Sequence, residues 1–326
     1  MTAREIPVSI SNDPIRLGIS SCLLGNEVRY DGGHKHDRFL TGTLGRYVTY
    51  VPVCPETEYG LGVPREPMRL VGDPAAPRLV TIRSGIDHTA GMTEWARAKT
   101  RELEKENLGG FIFKSRSPSS GMERVKVYND RGVPSPRGVG IFAAVFMNCF
   151  PLLPVEEEGR LHDPALRENF IERIFTLKRW RELLARGESR GNLVSFHTRH
   201  KLLLLSHSPG HYRIMGRLVG RAGDLPLADV LREYGGLLTE AMRLKATPAK
   251  HSNVLEHMMG YFKKQLSTDE KRELLEIIEI YRREHIPLIV PVTLMNHYVR
   301  KYAQEYLSEQ HYLNPHPIEL HLRNHV

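Results

Sequence analysis

The sequence of 326 residues is poor in cysteine and contains only Cys22, Cys54 and Cys149. A small, odd number of cysteines argues against a disulfide scaffold, and the lack of any Cys-x-x-Cys pair argues against a zinc ribbon or finger. We therefore expect a protein of the reducing cytoplasm. In that compartment a special cysteine would work as a thiolate ligand or as a nucleophile.

Long apolar runs are also missing. No stretch approaches about 18 uninterrupted apolar residues, so neither a transmembrane helix nor a membrane partner is expected. Residues 1–13 lack the apolar segment of a secretory signal, so no such signal is expected either. With 40% hydrophobic and 26% charged residues, the composition excludes a largely disordered chain.

The net charge of +8 is unevenly distributed along the chain. Residues 1–160 contain 21 Lys+Arg and 19 Asp+Glu, a net charge of +2, whereas residues 161–326 contain 25 and 19, a net charge of +6. Thirteen of the 16 histidines also follow residue 160. A basic, histidine-rich half indicates an anionic partner, with nucleic acid the first candidate; a merely basic surface is the alternative.

The pattern of apolar residues changes at about the same point. Before residue 160, short apolar runs alternate with loops rich in glycine and proline, and the predicted elements are strands over 15–20, 47–53, 109–113 and 124–128 and a helix over 92–107. Later helices are predicted after Asp163-Pro164 and over roughly 192–206, 209–222, 226–244, 252–266 and 268–284. The sequence therefore predicts an α/β domain with a mainly parallel sheet over 1–160, followed by an all-α domain over 161–326.

Three of the predicted strands end in loops with unusual chemistry. The first loop contains Cys22, the second contains Cys54 and Glu56, and the third contains Ser117 and Ser120. Ligand sites gather beyond the carboxyl ends of parallel strands, so we expect these loops to meet.

A single cysteine just past a strand is more often apolar filling than a ligand. Two such cysteines favour a functional role, and we expect nearby cations to favour their thiolate forms. These cations are Lys35, Arg65 and Lys114.

Three segments, in this order, resemble the signature of the DUF523 family, the thiouracil desulfidases: ISSCLLGNEVRYDGGHK, PVCPE…GLGVPREP and KSRSPSSGMERVKVY. The whole chain, including VPVTLMNHYVRKY…YLNPHP, resembles the longer architecture in which a DUF1722 helical domain follows. The resemblance covers about residues 15–326. This longer architecture is similar to that of desulfidases acting on 4-thiouridine in tRNA.

The resemblance implies a [4Fe–4S] cluster on three cysteines, with one iron left open for the thiocarbonyl sulfur of the substrate. Water then replaces sulfur without net redox change. Soft sulfur suits thiolate-held iron, and polarisation of the C=S bond makes its carbon electrophilic. A carboxylate is needed to activate water or to move protons. A 4-thiouridine in folded tRNA must first be exposed by unstacking or flipping.

Matched residue by residue, Cys22 and Cys54 fall on the first two cluster positions, Glu56 on the acid/base glutamate and Ser117 on a serine near the substrate. Ser120 stands where family members usually have the third cysteine. A hydroxyl is a harder and more basic ligand than a thiolate. Three interpretations stay open: an engineered change that traps or empties an active site, a natural weak ligand, or loss of the cluster and its chemistry.

Further substrate-binding candidates follow the first loop. They are Arg29, Tyr30, Asp31 and Lys35. A salt-bridged surface turn is the alternative for this segment.

Candidate RNA-binding residues occur in the second half. Arg213, Arg217 and Arg221 recur every four residues and so share one helix face, and Lys263 could extend this surface. A solvated basic face is the alternative.

The leading hypothesis is therefore [4Fe–4S]-dependent, non-redox desulfuration of 4-thiouridine in tRNA to uridine, with release of sulfide. The first alternative is a desulfidase of free thiouracil-type bases. The second is a cluster-free tRNA-binding protein that is inactivated by Ser120. The sequence does not fix the oligomeric state.

Overall fold

The computed structural model describes residues 14–325. These residues form two compact units that divide after Cys149, whereas the sequence pattern predicts a boundary after residue 160. Residues 1–13, for which no secretory signal is expected, lie outside the described residues. Within 14–325, every helix is too short or too polar to cross a membrane.

The first unit is built around a parallel sheet. The strands of this unit are β1 (Ile15–Ser20), β2 (Val48–Val53), β3 (Met68–Val71), β4 (Arg78–Thr81), β5 (Gly110–Phe113), β6 (Val125–Tyr128) and β7 (Pro134–Gly138). Strand β1 lies between β2 and β5 and is parallel to both. The predicted strands at 15–20, 47–53 and 109–113 are confirmed, and their carboxyl ends share one edge of the sheet.

A second sheet in this unit has the order β4-β3-β6-β7. Only the β3–β6 pair is parallel; the outer pairs are antiparallel. The predicted strand at 124–128 is confirmed as β6, but it belongs to this second sheet. Its neighbours β3 and β7 were not predicted, because both strands are short and lie next to proline or contain it. Strand β3 follows Pro67, and β7 contains Pro134 and Pro136.

The helices of the first unit are α1 (Pro55–Glu58), α2 (Thr89–Glu104) and α3 (Ile141–Cys149). Helix α2 ends before the predicted residue 107, because the N–H groups of Lys105 and Glu106 bond only three residues back, and Asn107 then adopts a left-handed φ of 47°. Helix α3 packs on β5 through buried aromatic rings, with 4.7 Å between the ring centres of Phe111 and Phe146. Each buried ring stabilises the unit by about 1.5–3 kcal/mol.

The second unit is helical apart from a short strand, β8 (Val155–Glu157). Its helices are α4 (Pro164–Ala185), α5 (Arg190–His207), α6 (Pro209–Gly220), α7 (Leu227–Arg243), α8 (Pro248–Met259), α9 (Thr268–Arg282), α10 (Ile289–Lys301) and α11 (Glu305–Ser308). The predicted start of α4 is confirmed, since the Asp163 carboxylate accepts a hydrogen bond from the Leu166 N–H at 3.0 Å. The predicted fold class, α/β followed by helical, is likewise confirmed.

Several histidines of the second unit belong to its buried core. His251 is buried and forms a 3.0 Å hydrogen bond with the Tyr312 hydroxyl. Burial lowers the pKa of His251 to about 3 and that of His197 to about 4. These histidines are therefore neutral at pH 7, so part of the histidine enrichment serves packing and not the basic surface.

Candidate functional site

A cavity of about 390 Å³ lies beyond the carboxyl ends of β1, β2 and β5. Predicted site residues from all three strand-end loops line it: Cys22, Arg29, Tyr30, Lys35, Cys54, Glu56, Ser117 and Ser120. Asp31 is not among the lining residues; its carboxylate lies 3.4 Å from Nε of Arg29 in a turn. The parallel sheet thus brings together residues that are up to about a hundred positions apart in sequence.

The first loop is a tight turn that returns the chain to the cavity. Cys22 lies in a short 3-10 helix that ends at Gly25, whose φ of 96° is left-handed and favours glycine. The Cys22 carbonyl accepts a hydrogen bond from the Lys35 N–H at 2.9 Å. This bond folds the segment between them back toward the thiol.

The second loop begins helix α1. The Cys54 N–H donates to Oε1 of Glu58 at 2.8 Å, and Oε2 of Glu58 pairs with Lys99 at 2.9 Å. With Pro55 in the first turn, these contacts fix the backbone at Cys54. The following helical turn places the Glu56 carboxylate beside the thiol, with 3.6 Å between Oε2 and Sγ of Cys54.

Glu56 is held from two sides. Its Oε1 accepts a hydrogen bond from Ser119 Oγ at 2.5 Å, and its Oε2 lies 3.7 Å from the Arg65 guanidinium. An ionised carboxylate only accepts, so Ser119 is the donor; the 2.9 Å contact between the two serine hydroxyls then has Ser117 donating to Ser119. A hydroxyl chain therefore leads from the cavity to Glu56.

Ser119 was not predicted as a site residue. It is completely buried and does not line the cavity. The only sequence signal was its place between Ser117 and Ser120, and the pattern alone does not reveal that its side chain points toward Glu56.

The third loop is fixed against helix α3. The Ser119 carbonyl accepts from the Ala143 N–H at 3.2 Å, and the Ser120 N–H donates to Ser117 Oγ at 3.1 Å. A Cβ atom at Gly140 would lie only 2.5 Å from the Ser119 carbonyl carbon. Close approach of the two backbones therefore requires glycine at 140, and it positions Ser120 at the cavity wall.

Both thiols of the cavity favour their protonated forms. Burial raises the pKa of Cys22 to about 11, and the nearby Lys114 ammonium only partly opposes this. Burial also raises the pKa of Cys54, and the Glu56 carboxylate adds to the rise. Lys114 and Arg65 act in the expected direction, since each lowers the pKa of a neighbouring thiol, but desolvation outweighs them.

The donor set fits a metal cluster at this cavity. Cys22 and Cys54 supply two soft sulfur atoms and Ser120 supplies a hard oxygen, all facing the same space. A bound cation would stabilise the ionised ligands that burial disfavours. Cys149 is exposed at the end of α3 and does not line the cavity.

The predicted basic stripe lies at the surface of the second unit. Arg213, Arg217 and Arg221 are all exposed on α6 and the residue that follows it, and among residues 14–325 none of them has an ion-pair partner. Exposed arginines on α9 and on the residue that follows it differ, because they pair with aspartate or glutamate; these are Arg272, Arg282 and Arg283. Lys263, beyond α8, is also exposed.

Comparisons with known proteins match the two halves of the chain to two different families. The family model described as 2-thiouracil desulfurase matches residues 17–158, and DUF1722, a protein of unknown function, matches residues 201–317. The uncharacterized protein YbgA of Escherichia coli (strain K12) is 34% identical over 48% of this chain and 94% of its own length. The uncharacterized protein YbbK of Bacillus subtilis (strain 168) is 36% identical over 32% of this chain and 71% of its own length.

One solved structure, described as the [4Fe-4S]-dependent thiouracil desulfidase TudS, is 31% identical over 47% of this chain and 97% of its own, with a TM-score of 0.39. The family models account for both halves in order, and relatives more than 30% identical match over most of their own length. This chain therefore belongs to the thiouracil desulfurase family, in a two-part form in which the DUF1722 region follows.

Proposed function

We propose that this chain converts 4-thiouridine in tRNA to uridine and releases sulfide, with a [4Fe–4S] cluster held by Cys22, Cys54 and Ser120. The observation that carries the proposal is the meeting of these ligands with Glu56 and Ser117 around one cavity of the desulfurase unit. When bound, such a cluster supplies a Lewis-acidic iron with affinity for sulfur. Since Cys22 and Cys54 are free thiols, we also propose a reducing, cytoplasmic setting.

Glu56 is suited to manage protons in this reaction. Replacement of sulfur by water requires a base that takes a proton from water and an acid that returns one to the leaving sulfur. The Glu56 carboxylate borders the cavity, and the hydroxyl chain of Ser117 and Ser119 can carry a proton to Oε1. Arg65 lies on the other carboxylate oxygen and offsets its charge.

Charges at the cavity favour an anionic substrate. Among its lining residues, five cations face only two carboxylates; the cations are Arg29, Lys35, Arg65, Lys114 and Arg116, and the carboxylates are Glu56 and Glu66. A neutral free base would interact less strongly with this excess of positive charge than a nucleotide, which brings a phosphate. This contrast supports a nucleotide substrate over a free thiobase.

The unpaired arginines of α6 support RNA as the macromolecular partner. Three exposed guanidinium groups at four-residue spacing can contact successive phosphates, and they give up no intramolecular ion pair to do so. Such contacts position an RNA without reading its sequence. Lys263 would add to the same attraction.

Two other functions have observations in their favour. The family description names 2-thiouracil, a free base, as the compound acted on. The Ser120 hydroxyl at the third ligand position favours a cluster-free RNA-binding protein, because iron–sulfur clusters select thiolates. A cluster-free protein would have no use for a carboxylate and a hydroxyl chain beside two buried thiols, whereas the free-base alternative uses the same groups and differs only in its substrate.

The decisive experiment measures loss of 4-thiouridine from tRNA after anaerobic cluster reconstitution. The original chain, Ser120→Cys and Glu56→Ala are compared, each with tRNA and with free 4-thiouracil. We expect activity on tRNA in the first two proteins and none in Glu56→Ala, which should still bind tRNA. Activity in Ser120→Cys alone would indicate that the proposed substrate is right but that Ser120 inactivates the original chain. Activity on the free base alone would mean that the substrate is the free base and not tRNA. Inactivity of every cluster-loaded protein would contradict the proposal.

A further inference from the structure

A pair of stacked tyrosines lies at the surface of the helical unit. The ring centres of Tyr261 and Tyr306 are 4.9 Å apart with 21° between the ring planes. The Lys201 ammonium lies 4.8 Å from the centre of the Tyr306 ring. Tyr261 is 37% exposed. The three side chains thus form an aromatic stack that is backed by a cation and reaches solvent through Tyr261.

The surroundings of this stack are basic. Lys263 and Lys264 follow Tyr261 in the chain and are exposed, and neither they nor Lys201 pair with a carboxylate within residues 14–325. The exposed lysines therefore give the stack a basic border, which attracts phosphate.

A second tyrosine stack in the same unit has the opposite charge environment. The rings of Tyr298 and Tyr302 are 6.2 Å apart, and the Lys301 ammonium lies 5.1 Å from the Tyr302 ring centre. Here Glu270 accepts hydrogen bonds from both Lys301, at 2.6 Å, and the Tyr302 hydroxyl, at 3.0 Å. The lysine is neutralised, and a carboxylate faces the stack. Within the described residues, a lysine therefore lies over a tyrosine pair twice, once paired with a carboxylate and once, at Lys201, without an ion-pair partner.

We propose that Tyr261, supported by Tyr306 and Lys201, stacks on an unpaired nucleobase of the RNA that the helical unit binds. Every base has a π-face, so stacking on a tyrosine requires an unpaired base and tolerates any sequence. A cation behind the stack adds attraction for the electron-rich rings and for nearby phosphate. The inference rests on the proposed RNA function and adds to it a selection for loops over duplex.

The test uses the full chain and two fluorescent RNAs, a stem-loop and a blunt duplex of equal length. Affinities are measured by anisotropy at several salt concentrations, and a 2-aminopurine in the loop reports stacking. Tyr261→Leu should weaken stem-loop binding roughly 5- to 100-fold, leave duplex binding and the salt slope unchanged, and abolish the 2-aminopurine quench. Tyr261→Phe keeps the ring and should behave like the original chain. Tyr302→Leu, in the second stack, should change neither affinity.

The outcomes separate this inference from the proposed function. If the original chain binds neither RNA, RNA binding itself is refuted and the inference with it. If it binds both RNAs but Tyr261→Leu has no effect, or weakens stem-loop and duplex equally, only the stacking inference is refuted. An equal loss in Tyr302→Leu would also overturn it. Thermal unfolding of each variant verifies that the folded protein is being compared.

Discussion

Ser119, which is completely buried, donates a hydrogen bond of 2.5 Å to Oε1 of Glu56. Glu56 borders the cavity, and Ser119, which does not line the cavity, fixes the Glu56 carboxylate in place. The loop that carries Ser120, the proposed third cluster ligand, therefore also orients the carboxylate of the second loop. The tripeptide from Ser117 to Ser119 thus connects the position of the proposed acid/base group with that of the proposed ligands.

Replacing Ser119 by alanine should lower kcat by about tenfold or more with little change in KM. The variant loses a hydrogen bond to a charged group but no contact with the substrate. Steady-state desulfuration of tRNA measures the effect. Ser252→Ala removes an equally buried hydroxyl from the helical unit and serves as the control. If both variants keep the original kcat, Ser119 does not position Glu56.

Replacing Ser120 by cysteine should slow the loss of iron to a chelator by about tenfold or more, since a thiolate matches cluster iron better than a hydroxyl. The decay of visible absorbance under anaerobic conditions follows the loss. Ser115→Cys, which also adds a thiol to the cavity wall, is the matched control and should not slow it. Equal protection by both variants would show that position 120 is no ligand.

Charge reversal of Arg213, Arg217 and Arg221 to glutamate should weaken tRNA binding and flatten its dependence on salt. The slope of log K against log salt should fall by up to about one per arginine, because fewer counterions are released. The control reverses three exposed arginines, on α9 and the residue after it, that already form ion pairs: Arg272, Arg282 and Arg283. A similar loss in the control would point to net charge alone and not to the α6 stripe.

Acid should destabilise the helical unit partly through His251. Burial lowers its folded pKa to about 3, below the unfolded value of 6.5, so the unfolded chain binds the proton more readily. The free energy of unfolding should therefore decrease as the pH falls from 6.5 toward 3, by up to about 1.4 kcal/mol per pH unit for this group. Urea unfolding across that range measures it. His251→Gln should flatten the decrease, whereas His285→Gln, at an exposed position, should leave it unchanged.

The cavity could be predicted because strand ends are strongly determined by sequence. The runs at 15–20, 48–53 and 110–113 are mostly apolar, and each is followed by a loop that contains glycine, proline or serine. Parallel pairing then forces these loops together. The second sheet could not be predicted in this way. Its strands are short, and their partners are selected by tertiary packing and not by local pattern.

The protonation state of the thiols and the role of Ser119 depend on burial, which the sequence does not specify. The cations expected near Cys22 are present, but their effect is smaller than that of desolvation. Likewise, helix α10 was not predicted, since prolines at 287 and 291 interrupt the helical pattern. In the structure Pro291 lies in the first turn of α10, where its missing N–H has little cost.

The close approach of Gly140 to the Ser119–Ser120 backbone bears on which side chains position 120 can carry. The backbone at position 120 is held between helix α3 and the first turn of its own loop, so its place at the cavity wall does not depend on which side chain it carries. Serine and cysteine both carry their donor atom directly on Cβ, and the two donor atoms differ mainly in softness. A single-atom exchange at this position can therefore change the element presented to the cavity while the scaffold around it keeps its shape.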